Sequence, residues 1–360
     1  MKRIFLYSIC LLFLLSGCAN HRIVDQVQII ESIGFDKEED KFKVVALYPH
    51  FEEKNKVKLT DISTISYSYY DIWPKLNNKS DLPIMRGQLR MMLFGESFAK
   101  NGIETVVDSL CRDPEIGNRI FLGIAEKSAS EILDKVKATN VPHYLHSLID
   151  QNINQGNLPY GDLQVYLEKN FSKGRDTYLP FFVIEENRVK LDGLALLNKS
   201  KYITNIDMRE AFILKTLINN GTNGRYQVHI KQPDGDGEGY VLLRSLDVKT
   251  NYKIDSVTPI PHVTIGLTMR VEVRDVPPGI NMTNNVEIIK IEGILSKHFE
   301  NAIANLISKL QKYQVDPIGF KEKIQKVSRN TNEDSLIKSY TNMKTTVNAE
   351  IKIIETGVGE

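Results

Sequence analysis

The 360-residue chain holds three cysteines and one tryptophan. Cys10 and Cys18 lie near its start, so removal of a leading segment that includes Cys10 would leave Cys111 with no partner but Cys18. A small domain stapled by disulfides is thereby excluded, and about 340 residues are enough to be held by hydrophobic cores instead. No apolar run reaches the roughly 20 residues that a transmembrane helix needs. Charge of one sign is missing too: 46 Lys and Arg face 45 Asp and Glu. That balance implies no broad attraction to nucleic acid or to an anionic membrane. The sequence also lacks a phosphate-cradling GxxxxGK[ST], a GxGxxG after a strand, a GxSxG nucleophile turn and an HExxH pair, so it offers no positive evidence for catalysis. What it does have, 42% hydrophobic and 25% charged residues, is the content of a folded protein and not of a disordered stalk.

The start of the chain carries a signal. Lys2 and Arg3 precede an apolar run from Ile4 to Leu15, and small residues follow in "LLFLLSGCAN", Leu11 to Asn20. A positive start, a short apolar centre and a small-residue end are the parts of a secretory signal peptide. Leu15-Ser16-Gly17-Cys18 resembles the lipobox of bacterial lipoproteins, in which the cysteine receives a diacylglyceryl group before cleavage in front of it. The expectation is a signal peptide over residues 1–17, cleavage between Gly17 and Cys18, and a lipid anchor on Cys18. Loss of Lys2 and Arg3 would take the formal net charge from +1 to −1. Two acyl chains on one cysteine make a stable anchor at about 0.8 kcal/mol per buried CH₂.

Beyond Cys18, "VQIIESIGFDKEEDKFKVVALYP" reads as two strands joined by the charged turn Asp36 to Lys41. From Asp61 to Glu186, short apolar strands such as "LRMMLFG" and "NRIFLGIAE" alternate with helical stretches such as "GIETVVDSLCRD" and "SASEILDKVKA". This predicts a mixed α/β domain with some parallel pairing. In "VTIGLTMRVEVRD" apolar residues from Val263 to Val273 alternate with polar or small ones, which predicts a strand with one buried face. "VPPG", Val276 to Gly279, ends it. A long helix follows in which Ile288, Ile291, Leu295, Phe299, Ile303, Leu306, Leu310 and Tyr313 recur at spacings of three and four, a stripe expected to pack on its own sheet. Val347, Ala349, Ile351 and Ile353 predict a last strand in that sheet. The predicted fold class is α+β: an N-terminal mixed α/β domain over residues 18–188, which could divide into two subdomains, and a C-terminal domain over 189–360 with an antiparallel sheet packed with long helices. The boundary is placed near "EENRVK", Glu185 to Lys190.

Three stretches invite a chemical reading. In "DGDGEG", Asp234, Asp236, Glu238 and Gly239 match positions one, three, five and six of a calcium loop, but position twelve is Ser245 and the flanks read as strands. A solvated hairpin turn with no metal is expected. His143 and His146 stand three apart, yet nothing supplies a third ligand, so surface or capping roles are expected. Cys111 has no histidine within local reach and reads as a buried structural thiol. No cofactor is implied.

Other residues carry a resemblance. "RGQLRMMLFGESFAKNGIETVVDSLCRDPEIGNRIFLGIAE", with Gly87, Gly95, Asp113 and Pro114, is similar to the signature stretch of the Ger(x)C family, the lipoprotein C subunits of spore germinant receptors. "CANHRIVDQVQIIESIGFD" keeps the family's spacing from the cysteine to an Ile-Gly-hydrophobic-Asp turn, here with Gly34 and Asp36. "DGLALLNKSKYI", with Gly193, resembles its mid-chain hairpin, and "YQVDPIGF", with Asp316, Pro317 and Gly319, resembles the segment after its long helix. The four segments occur in family order across the mature chain. Read on their own chemistry, Asp316 is expected to cap a helix with Pro317 in its first turn, and Asp113-Pro114 to stop one element and aim the next. Ala19 and Asn20 depart from the tryptophan and charged run usual after the lipid cysteine, and "NKSKYITNI" departs from the usual hairpin turn, which marks a divergent member.

The resemblance implies a non-enzymatic subunit needed for the germination response to nutrients. It would be lipid-anchored on the outer face of the spore inner membrane, beside the integral membrane A and B subunits, with no nucleic-acid partner. A solute-binding lipoprotein serving a membrane transporter is the alternative that an anchor and this length also permit.

Overall fold

The computed structural model describes residues 26–52, 56–117, 119–172, 174–218, 221–231, 238–328 and 332–357. β1 (Gln28–Ile29) leads into β2 (Ser32–Glu38) and β3 (Lys41–Glu52), whose tight turn holds Glu39 at φ 52°. β4 (Lys56–Ser66) pairs antiparallel with β3. Then come α1 (Tyr69–Asn77), β5 (Ile84–Met85), β6 (Met91–Gly95), α2 (Glu96–Asn101) and α3 (Glu104–Cys111). β7 (Phe121–Ala125), α4 (Ala129–Thr139), α5 (Tyr144–Asn154) and α6 (Leu163–Phe171) follow. β8 (Thr177–Glu185), β9 (Arg188–Asn198) and β10 (Lys201–Ile206) complete this half.

These strands form an eight-stranded sheet in the order β10-β9-β8-β7-β6-β2-β3-β4, while β1 and β5 pair separately. The four central strands run parallel and the outer pairs are antiparallel hairpins. β6 and β7 are buried at every position because helices cover both faces of the sheet, the usual condition of parallel strands. Alternation along each strand then feeds two cores. Ile33, Phe35, Met92, Phe94 and Ile124 meet α1, α2, α3 and α6 on one face. Leu47, Met91, Leu93 and Phe182 meet α4, α5 and α7 (Met208–Ile218) on the other.

The second sheet takes β11 (Arg225–Lys231), β12 (Glu238–Ser256), β13 (His262–Asp275) and β14 (Lys344–Thr356), in that order. Between β13 and β14 lie α8 (Asn285–Lys312), α9 (Phe320–Ser328) and α10 (Glu333–Asn342). The apolar stripe of α8 is core: Ile291, Leu295, Phe299, Ile303, Leu306 and Leu310 are all buried, while Ile288 is half-buried and Tyr313, just past the helix, is exposed. Asn284 caps the helix start by accepting the Val286 N–H, and Lys309 and Lys312 sit in the last turn against the helix dipole. The second sheet and α8 share one continuous core with α4, α5 and α7, so the two halves are joined through buried side chains.

One expectation changes. β14 pairs parallel with β13, because the chain crosses back through three helices and so re-enters the sheet in the direction of β13. "EENRVK" spans the tip of the β8–β9 hairpin, whose two-residue turn is Glu186 and Asn187 at φ 48° and 65°. The first sheet continues up to Ile206.

The edge strand β14 is covered in a specific way. Glu292, Ser296 and Glu300 form one row along α8 and accept the outward N–H groups of Ile353 at 2.9 Å, Ile351 at 3.1 Å and Ala349 at 3.4 Å. A sheet edge that would otherwise offer free donors to another chain is closed by a helix of the same chain.

Candidate functional site

The motif positions gather at three joints of the fold. At the first, Asp36 at the end of β2 reaches the start of α4, more than ninety residues away in sequence. Its Oδ1 accepts the Ala129 N–H at 2.7 Å, and its Oδ2 accepts the Ser130 N–H and the Ser128 hydroxyl, both at 2.9 Å. The first N–H groups of α4, which have no partner inside the helix, are thereby satisfied from the sheet. Gly95 ends β6 beside this cap, and a Cβ there would overlap the Asp36 carboxylate. Gly34 lies under Ala129 and Leu133 of the same helix.

At the second joint, Asp113 and Pro114 open a turn closed by the Ile116 N–H on the Asp113 carbonyl, with Asp and Pro at the positions such a turn favours. Asp113 Oδ1 accepts the Glu115 N–H. Its Oδ2 pairs with Arg86 at 2.8 Å, and Arg86 also holds Glu115 at 2.9 Å while lying 4.7 Å from the Trp73 ring centroid. Gly87 follows Arg86 and faces the Glu115 carbonyl. Burial first, then the charge of Asp113, raises the pKa of the neighbouring Tyr69 hydroxyl.

The third joint ties the two halves. Asp316 is fully buried; its Oδ1 accepts the Gly319 N–H at 2.8 Å and its Oδ2 the Lys321 N–H at 2.7 Å. Its own N–H donates to Asp176 at 2.7 Å, and Lys321 pairs with Asp176 at 2.9 Å. Burial pushes the Asp316 carboxyl up to about 6, against the pull of the Lys321 N–H and ammonium. Pro317 stands in the tight turn before the helix and not in its first turn, since α9 begins at Phe320 and Gly319 sits at φ 83°. An Asp-Pro pair opens a turn as readily as a helix, and the following glycine decides for the turn here. Gly319 also lies against Arg175, which pairs with Glu322 at 2.5 Å.

Gly193 stands where β9 slips against β8, with φ 131°. A side chain at that bulge would run into the Ile206 carbonyl.

The remaining candidates separate. His143 begins α5 in a left-handed conformation, and its N–H donates to the buried Glu31 carboxylate at 2.9 Å. His146 packs instead on Phe121. Among the described residues no group of three His, Cys, Asp or Glu side chains is placed to hold a metal ion. Asp234 and Asp236 lie outside the described residues, as do Gly17, Cys18 and the whole leader. The described stretches on either side of Asp234 and Asp236, β11 and β12, are strands, and Ser245 is buried with its hydroxyl on the Gly221 carbonyl. Cys111 is exposed, not buried, because Val106, Val107 and Leu110 take the core side of α3 and turn it outward. Partial burial and Asp108 raise its thiol pKa, which leaves it unactivated.

Sequence reasoning missed Glu31, Asp176 and a cavity of about 390 Å³ at the third joint, lined by Lys169, Arg175 and Lys323. A buried carboxylate can be signalled by its place in an apolar run, as Glu31 is in "IIESIG" between β1 and β2. The cavity had no such signal, since its residues come from both halves.

Comparison with known proteins supplies the family. Residues 20–184 match the model of the spore germination protein N-terminal domain, and residues 192–357 match that of the spore germination B3/GerAC-like C-terminal domain. The chain is 28% identical to spore germination protein GerQC of Bacillus cereus, over the full length of both. It is 21% identical to YfkR of Bacillus subtilis (strain 168), over 88% of this chain and 85% of that one. The crystal structure of the GerBC protein has a similar fold, with a TM-score of 0.55 at 15% identity, over 90% of this chain and 97% of that one. The chain is therefore a member of the GerAC/GerBC-type spore germination protein family, a non-enzymatic family with an α+β fold.

Proposed function

We propose that the protein is a lipid-anchored subunit of a nutrient germinant receptor, tethered through Cys18 on the outer face of the spore inner membrane beside integral membrane A and B subunits. The observation that carries this reading is similarity to a spore germination protein over the whole of both chains. The motif residues support it: each serves a cap, a turn or a joint, as expected of a protein that acts by being held in an assembly. Among the described residues no helix is long and apolar enough to cross a membrane, and a lipidated cysteine would supply attachment by other means. The solute-transport reading gains little from halves built on an eight-stranded and a four-stranded sheet, which are not two similar lobes.

Mass measurement of the mature N-terminus tests the tether. A chain that begins at a diacylated Cys18 is expected, and Cys18→Ala should leave it unlipidated and loosely held. A chain cleaved elsewhere, with an unmodified Cys18, would overturn the anchor.

A further inference from the structure

The third joint encloses chemistry that the receptor reading does not use. Between α6 and the start of β8 on one side, and β12, the end of α7 and the Asp316–Gly319 turn on the other, lies the cavity of about 390 Å³. That size suits a small molecule. Two of its walls are tyrosine rings fixed by their hydroxyls, Tyr178 on the Tyr160 carbonyl and Tyr252 on the Leu217 carbonyl. Each ring carries an ammonium group: Lys169 Nζ lies 3.4 Å from the Tyr178 centroid and Lys323 Nζ 4.6 Å from that of Tyr252. Lys323 also donates to the Ile318 carbonyl.

Charge in the cavity is unbalanced. Arg175 is neutralised by Glu322, but among the described residues no carboxylate forms an ion pair with Lys169 or Lys323. The acid that lines the cavity, Glu168, is exposed. Two half-buried lysine side chains, one from each half of the chain, thus face a shared space without a paired carboxylate, the charges of Glu168 and Asp316 acting on them only from a distance. Burial and the nearby Arg175 hold Lys169 down to about 7, against the weaker pull of Glu168, and burial lowers Lys323 against the pull of the Asp316 charge. An anion seated there would make two charge-assisted contacts in a partly desolvated setting, where such contacts are strongest.

We propose that this cavity is a binding site for a small organic oxyanion, a carboxylate or a phosphate, held between Lys169 of the N-terminal half and Lys323 of the C-terminal half and clamping the two halves together. The site does not depend on the receptor reading.

Calorimetric titration of the full-length protein in detergent micelles tests it, with sodium succinate and sodium phosphate as probes at constant ionic strength. The expected result is saturable binding of at least one probe, weakened about tenfold or more in Lys169→Met and in Lys323→Met. Lys297→Met, on the exposed side of α8, should leave binding unchanged. The better probe assigns the carboxylate or phosphate class. Because burial holds Lys169 down to about 7, anion binding at pH 8 should also take up a proton, seen as a dependence of the heat on buffer ionisation, and Lys169→Met should abolish that uptake. No saturable binding of either probe up to about 10 mM, or binding that survives both lysine substitutions, would overturn the proposal. Should one variant fail to fold, the other variant and the proton uptake of the unaltered protein still decide.

Discussion

At Glu31 a carboxyl group that is 1% exposed receives the His143 N–H while its Oε1 has no partner. Burial, only partly offset by that N–H, pushes its pKa from 4.5 to about 7. Between those values the folded chain binds a proton that the unfolded chain has released, so stability falls as pH rises through that window; below 4.5 both states hold the proton and nothing is lost. Asp316 acts in the same sense between 3.8 and about 6, whereas His143, His146 and His298, which burial holds below 6.5, act in the opposite sense up to 6.5. Glu31→Gln keeps an acceptor for His143 and removes the charge. It should remove Glu31's share of the pH dependence of urea-unfolding stability between 4.5 and about 7 and raise stability at pH 8 by about 1–3 kcal/mol. An unchanged slope would place the titration elsewhere. Single residues were legible where their role is local: the Asp113-Pro114 turn is written in adjacent residues. Asp36 was legible only as a motif member, because its partners stand about ninety positions away on another element. Cys111 was misread because residue type says little about which side of a short helix a residue takes.

Among the elements, α8 does two things, and only one is visible in its periodicity. The apolar stripe from Ile291 to Leu310 was legible because a spacing of three and four fixes one face of a helix. Leu306→Asp should therefore unfold the domain more easily, by about 3–5 kcal/mol, in a urea titration. If stability holds and only assembly is lost, the stripe is a docking surface. The row Glu292, Ser296 and Glu300 closes the β14 edge, and it was not legible because its partners are backbone groups of a strand about fifty to sixty residues on. The triple change Glu292→Ala, Ser296→Ala and Glu300→Ala should cost little stability but free three edge donors, so self-association should appear in sedimentation measurements. A variant that stays monomeric would show that the edge needs no such cover. The parallel entry of β14 was missed for a related reason, since strand pairing is a relation between distant segments.

For the whole molecule, a core that runs unbroken from α4 and α5 to α8 and the second sheet makes the two halves one mechanical unit. A tether at Cys18 would hold that unit close to membrane neighbours at high effective concentration, where even a modest interface suffices for a complex. Fold class was legible from the change between alternating strands and helices in the first half and long strands with one long helix in the second. The receptor context came from resemblance, because no composition or spacing encodes a partner. The most direct measurement is affinity purification of the full-length chain from detergent-solubilised spore membranes, with mass-spectrometric identification of what travels with it. The expected result is recovery, in comparable amounts, of two integral membrane subunits of one germinant receptor. Recovery of a transporter permease instead, or of the chain without those subunits from membranes that contain them, would contradict it.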